Sequence, residues 1–324
     1  MTTARALIVD PEVPGFYHCV SRCVRQAFLC GTDSYTGRCF DHRRAWIEER
    51  LLQLAEIFAI GVYAYAVMSN HVHVVTYLDP GAATAWSSDE VATRWMRLFP
   101  VRENGQIDTE ATHLRAQLMA GNPQRIAVCR ARLASLSWFM RCLNEPIARR
   151  ANREDACTGR FWEGRYRCQA LLDDAAVVAC MAYVDLNPVR AGIATDLNTC
   201  DHTSIKRRIA SLKAVTETES VTLRPLIGFP APSFPLDSQQ YLTLVDLTGQ
   251  VARPGKRGKL APQAVPLLRL LDVDDALWCY QVFGIQTHYW RVVGAVEALI
   301  DKARRLGQRW LKGSGALSQS TIAH

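Results

Sequence analysis

The chain has 324 residues, 49% of them hydrophobic and 21% charged, with a formal charge of +7 and a pI near 8.9. That is the balance of a globular protein with room for one large domain or two ordinary ones, and the absence of repeats or biased tracts excludes a solenoid or low-complexity chain. There is no run of 18 apolar residues and no charged-then-apolar leader, so the expectation is a cytoplasmic protein with no membrane partner; the positive charge points to a polyanionic one.

Phe16 to Val24 alternates and is rich in β-formers, which predicts a first strand. Asp41 is placed to N-cap an amphipathic helix running through Phe58, with Trp46, Ile47, Leu51, Leu54 and Ile57 at helical spacing. Two strands follow, roughly 61 to 67 and 71 to 77, around Ser69 and Asn70. Residues 79 to 125 carry scattered Pro and Gly around two short helical patterns and read as an insertion rather than core. A helix is expected from about Arg125 to Arg150 with a kink before Pro146, then a strand over Arg160 to Leu172. Asp173 or Asp174 then caps a helix through Ala175, Val178, Met181 and Ala182.

Strand, helix, strand, strand, helix, strand, helix predicts an α+β fold: a ferredoxin-like sandwich with an antiparallel sheet and its helices on one face. Residues 1–210 form that unit and 211–235 read as a linker rich in proline and bulky apolar residues. Residues 236–324 read as a small helical region, including a long helix from about Tyr289 to Leu311. The region is basic, with eleven Lys and Arg against five Asp and Glu over 251–324. The eleven cysteines include no paired Cys-x-x-Cys knuckle and read as reduced, mostly buried small apolar residues.

The chemistry starts at His71-Val72-His73. Strand alternation puts both imidazoles on one side of a sheet, roughly 6.6 Å apart, where they can share one divalent cation. A surface stripe or a buried hydrogen-bonded pair is the plainer alternative, but the run around them is apolar, and a buried polar group without a partner costs about 1–3 kcal/mol. Further along, Tyr183 and Asn187 stand four apart and share a helical face. Taken singly, Tyr183 reads as a packed tyrosine and Asn187 before Pro188 as a turn or cap residue. Met with the histidine pair, they compose a metal-assisted nucleophile site. His71, His73 and Asn187 would hold the cation and leave positions open for phosphodiester oxygens. Tyr183 would attack, leaving a 5′-phosphotyrosine that a second 3′-hydroxyl can resolve by rejoining. A donor set of imidazole and amide without carboxylate favours Mg²⁺ or Mn²⁺ over a closed zinc site.

From Arg141 to Arg167 seven arginines meet four acids among Trp138, Phe161, Trp162 and Tyr166, the composition of a surface that neutralises phosphates and stacks on bases; a solvated helix face followed by an aromatic strand is the alternative. Arg149, Arg150, Arg160, Trp162, Arg165 and Arg167, together with Arg190, are the candidate DNA-binding residues.

The strings Val67–Val75 (VMSNHVHVV), Gly159–Tyr166 (GRFWEGRY) and Met181–Gly192 (MAYVDLNPVRAG) resemble the single-tyrosine HUH transposases, in particular the REP-associated tyrosine transposases, over about residues 14 to 210. The resemblance implies a nuclease domain that cleaves and rejoins single-stranded or hairpin DNA. By position, His71 and His73 match the family's metal-binding pair, Tyr183 its nucleophile and Asn187 the polar third ligand. Two departures stand out: a long segment between His73 and the Trp162-Glu163-Gly164-Arg165 stretch, and a tail past 235 without counterpart in the smallest members. A catalytically silent DNA-binding protein on the same fold, and a metal-dependent hydrolase in which Tyr183 is structural, are the competing readings; a homodimer and a monomer are both compatible with the sequence.

Overall fold

The computed structural model describes residues 7–24, 29–33, 37–214, 221–251, 260–289 and 291–312. In chain order the first half contains β1 (Gly15–Arg22), α1 (His42–Ile57), β2 (Ile60–Val67), β3 (His71–Leu78), α2 (Ser88–Leu98), β4 (Arg102–Glu103), β5 (Gln106–Ile107), α3 (Thr109–Ala120), α4 (Pro123–Leu133) and α5 (Leu136–Glu154). The second half contains β6 (Arg167–Leu171), α6 (Asp174–Asp185), α7 (Asn187–Arg190), α8 (Ser204–Lys213), β7 (Ile227–Gly228), α9 (Ser238–Val251), α10 (Ala264–Leu270), α11 (Asp275–Gly284), β8 (Val292–Val293) and α12 (Val296–Arg305).

This is an α+β fold around a six-stranded sheet in the order β7-β2-β3-β1-β6-β8, antiparallel throughout except where β8 runs parallel to β6. Strand alternation divides the side chains between two apolar cores. Tyr17, Cys19, Val72 and Val74 join the core beneath α1 and α5, while Val75, Leu171 and Tyr63 join the core around α6. Helices therefore cover both faces, not one. The reason is α6 itself: from Ala175 to Asp185 every residue is buried, so a helix apolar all round needs a second cover, and α9 and α11 provide it.

Several expected elements differ in instructive ways. Asp41 does precede the first helix, but its backbone is already helical and its carboxylate takes a hydrogen bond from Arg44 Nε (3.0 Å) instead of capping. The expected 125–150 helix is two helices, because Ser135 caps a fresh start by accepting from Trp138 N. Pro146 sits inside α5, where its missing N–H frees the Cys142 carbonyl, and Arg50 Nε donates to it at 3.1 Å. Residues 79–125 are not peripheral. Val91, Ala92, Trp95 and Met96 of α2 and Met119 of α3 lie in the same core as α1 and α5. The strand expected over 160–172 shrinks to β6, preceded by an isolated bridge from Trp162 to Cys23.

Within 221–235, the chain folds back as β7 on the free edge of β2, with Gly228 at φ +100°. A Cβ there would stand 2.3 Å from the Ile60 carbonyl oxygen, so only glycine fits. The long helix expected from Tyr289 to Leu311 is β8 followed by α12: Val292 and Val293 are β-branched and pair with Ala170 and Leu171. Asp173 joins these parts, capping α6 through Ala176 N (2.8 Å) and accepting from Ala295 N (2.7 Å). Eight of the eleven cysteines are buried. No helix of the described residues is long and apolar enough to cross a membrane.

Candidate functional site

Register decides what shares a face. On β1, Phe16, His18, Val20 and Arg22 point to the α6 side; across β3 they meet Tyr77, Val75, His73 and His71, and across β6 Phe16, His18 and Val20 meet Leu171, Gln169 and Arg167. A patch of imidazole, amide and guanidinium groups thus forms at the end of the sheet where β1 leaves and β3 enters. His71 and His73 ring centroids are 4.7 Å apart. His73 is fully buried and His71 half-buried.

The helical half of the site comes from α6 and α7. Pro188 ends α6 at Asp185, yet Leu186 keeps helical backbone, so Tyr183 and Asn187 retain their one-turn spacing across the joint. Asn187 Nδ2 lies 3.0 Å from His73 Nε2, and the same amide lowers the pKa of the Tyr183 hydroxyl one helical turn before it. The Tyr183 ring stands 5.6 Å from that of His73, edge to face. Arg190, one helical turn beyond Leu186, lies over the Tyr183 ring at 5.2 Å and over Phe283 at 5.6 Å. Tyr183, Asn187, His73, His71 and Arg190 are therefore one constellation, built from a strand pair and a helix more than a hundred residues later.

Electrostatics keep its imidazoles neutral. Burial drives His71 down to about 4, with Arg22 and then His18 adding to the effect. His73 is held well below the ordinary histidine range by burial first, then by His18, His71, Arg22 and Arg190. Neutral imidazoles offer lone pairs. Burial also raises the Tyr183 hydroxyl, while Asn187 and Arg190 pull it back.

Two site residues were invisible to the sequence reading. Fully buried His18 places Nε2 2.9 Å from His73 Nδ1 and its ring 5.1 Å away, stacked. Arg22 sits opposite His71, exposed, and its charge is felt by both histidines and by Tyr183. His18 and Arg22, four residues apart on one face of an otherwise apolar-rich strand, are the signal that would have marked them.

The expected DNA-binding residues are divided. Arg190 is in the constellation and Arg167 begins β6 beside Val20, on the same face. Arg160 and Arg165 are exposed on the segment that runs along the end of β1, where Glu163 N donates to Arg22 O (2.8 Å). Trp162 is half-buried and spends its indole N–H on the Asn144 carbonyl (2.9 Å). Arg149 and Arg150 belong to α5, beneath the opposite face of the sheet. Arg149 pairs with Glu145 and Arg150 stacks on Trp46 at 3.7 Å, both lining a groove of about 750 Å³ with Trp95 and Trp138.

Among the described residues no three His, Cys, Asp or Glu side chains close a metal cage. The donors present are two neutral imidazoles and an amide. His71 Nδ1 is 2.5 Å from Asn70 Oδ1, an acceptor, so its proton sits on Nδ1 and Nε2 is bare. That set fits a hard-to-borderline divalent cation bound by three protein ligands.

No protein-family model and no curated protein matches the chain. Among solved structures, a REP-associated tyrosine transposase bound to a REP hairpin aligns with 65% of this chain and 86% of its own, at 10% identity and a TM-score of 0.34.

Proposed function

We propose that the protein is a single-stranded DNA endonuclease and strand-transferase, a transposase of the single-tyrosine HUH type, acting at hairpin or palindromic DNA through a 5′-phosphotyrosine on Tyr183. The observation that carries the reading is the meeting of Tyr183, Asn187 and His73: Asn187 is hydrogen-bonded to His73, and the Tyr183 ring stands edge to face with the His73 ring at 5.6 Å. The strand order β6-β1-β3-β2 with α1 and α5 as the intervening helices supports a ferredoxin-like core for this site. Residues 1–210 carry the chemistry in this account, and 236–324 brace it.

Each residue has a task. His71, His73 and Asn187 would hold a Mg²⁺ or Mn²⁺ ion, which would polarise the phosphodiester. Arg22, Arg167 and Arg190 bring positive charge to the same face and neutralise the DNA backbone around the scissile position. Tyr183 Oη forms a bond to phosphorus as the bond from phosphorus to O3′ breaks; the phenolic proton departs and the leaving 3′-oxygen takes one up. The phosphoester energy stays in the tyrosine linkage, so a new 3′-hydroxyl reverses the step and joins strands without a nucleotide cofactor. Arg190 over the ring favours the phenolate form.

One observation favours a second reading. Tyr183 is only 6% exposed, as a packed structural tyrosine would be, and a catalytically silent DNA-binding protein on this fold needs no accessible hydroxyl. Labelled hairpin DNA with Mn²⁺, resolved on a denaturing gel, separates them: a covalent adduct lost in Tyr183→Phe supports the transferase, hydrolysed ends without adduct support a hydrolase, and metal-independent binding without cleavage supports the silent protein.

A further inference from the structure

The hydrogen bonds around His18 form a chain in which every proton can be placed. It begins outside the site, at the carbonyl of Ile285 just past α11. A carbonyl only accepts, so Gln169 Nε2, 2.8 Å away, donates to it. That orientation turns Gln169 Oε1 toward His18 Nδ1 at 2.9 Å, and because Oε1 only accepts, the His18 proton sits on Nδ1. His18 is fully buried and its Nδ1 proton is spent on the Gln169 amide oxygen, with no carboxylate paired to the ring, so the imidazole is neutral and its Nε2 is bare. His73 Nδ1, 2.9 Å from that lone pair, must then be the donor. The remaining nitrogen of His73, Nε2, is left with its lone pair exposed to Asn187 and the site.

Nothing in His73 itself demands this arrangement. A lone neutral imidazole in water favours the proton on Nε2, which would leave the wrong nitrogen facing Asn187. We infer that His18 and Gln169 are positioning residues that lock His73 as its Nδ1–H tautomer, so that the Nε2 lone pair is presented to a divalent cation, with the Ile285 carbonyl as the fixed end of the chain. The inference rests on the reading of His73 as a metal ligand given under Proposed function. A ligating histidine almost always ties its second nitrogen to an ordered acceptor, and loss of the tie typically weakens metal affinity 10–100-fold.

The chain also gives the C-terminal region a task at the site. Ile285 follows α11 on a turn, and the next strand, β8, pairs with β6, the strand that carries Gln169. The backbone that offers the carbonyl is thereby held against the strand that reads it. Asn187 completes the device from the other side: as it stands, its amide nitrogen faces the His73 lone pair. Turning the amide over exchanges this donor for an oxygen ligand beside that lone pair.

Two measurements on the full chain test the inference without using activity. In protein carrying ¹⁵N-labelled histidine and no metal, long-range ¹H–¹⁵N correlation spectra, assigned by loss of the signal in His73→Asn, should show His73 protonated at Nδ1 and unprotonated at Nε2. Mn²⁺ binding, read from the free-ion electron paramagnetic resonance signal, should weaken 10–100-fold in Gln169→Leu and recover in Gln169→Glu, whose protonated carboxyl can donate to Ile285 and accept from His18. A His73 proton on Nε2 overturns the inference, and so does a folded Gln169→Leu that binds Mn²⁺ as tightly as wild type. If wild type itself binds no Mn²⁺, the metal reading fails instead. Should Gln169→Leu fail to fold, the wild-type tautomer still decides.

Discussion

Tyr241→Phe removes one oxygen atom from the protein and should cost about 2 kcal/mol of stability. Asp185, the last residue of α6 and two positions from Tyr183, is fully buried. Its carboxyl accepts from Tyr241 Oη (2.5 Å) on α9 and from Ser204 Oγ at the start of α8, with Arg208 as the nearby countercharge. Hydrogen bonds to a charged group contribute roughly 1.5–3 kcal/mol, and the phenylalanine ring keeps the volume, so no cavity term is added. The Asp185 carboxyl, already raised to about 6 by burial, loses a donor that holds it down and should titrate higher still. Urea denaturation at pH 7.5 would read the loss as a lower midpoint at unchanged slope, and thermal unfolding as a drop of roughly 4 °C. A midpoint equal to wild type would refute the claim that the buried carboxyl is ionised and that α9 anchors the helix carrying Tyr183.

Acid should destabilise the fold well above the usual carboxylate range. His18 and His71 have folded pKa values near 4 and His73 lies well below 6.5, so the unfolded chain takes up protons from pH 6.5 downward that the folded chain refuses. Stability is therefore full above pH 6.5 and falls as pH drops toward 4. Asp185 opposes this near pH 6, leaving a net loss of roughly 3 kcal/mol between pH 7.5 and 5.5, measurable by urea titration at each pH. Gly228→Ala should lose at least about 3 kcal/mol, since φ +100° and the Ile60 and Ala55 carbonyl oxygens both forbid a Cβ; a thermal midpoint unchanged from wild type would mean that β7 does not dock on β2 as described. Arg22→Gln should weaken single-stranded DNA binding and lower the salt dependence of log K by about one contact's worth, without loss of folding. The same substitution should raise the His71 pKa, followed by NMR titration, because the Arg22 charge is the second largest cause of its depression.

Local signals in the sequence were reliable where one element contained them. The alternation through His71 and His73 marked β3, and the four-residue spacing of Tyr183 and Asn187 survived the break at Pro188 because Leu186 keeps helical backbone. What was illegible depended on partners far apart in the chain. His18 meets His73 across 55 residues and Gln169 across 151, and no single segment announces a triad of that kind. The cover on the second sheet face was missed for a similar reason: α6 is apolar on every side, which reads as a buried helix, but what buries it comes from α9 and α11. The Ser135 cap inside a helical pattern and the β-branched Val292–Val293 pair in another were present as signals, and each overrode a longer periodicity. Arg149 and Arg150 belong to the arginine-rich, aromatic-interleaved run 141–167 that reads as one nucleic-acid surface, whereas α5 carries them beneath the opposite face.

The central claim is that Tyr183 Oη becomes covalently joined to DNA. Incubating the protein with 3′-labelled hairpin DNA and Mn²⁺, digesting with protease and sequencing the DNA-bearing peptide by mass spectrometry measures it directly. The account predicts a nucleotide 5′-phosphate on Tyr183 in the peptide containing Asp185 and Asn187, absent in Tyr183→Phe; an adduct on another residue, or cleavage that persists undiminished in Tyr183→Phe, would contradict it.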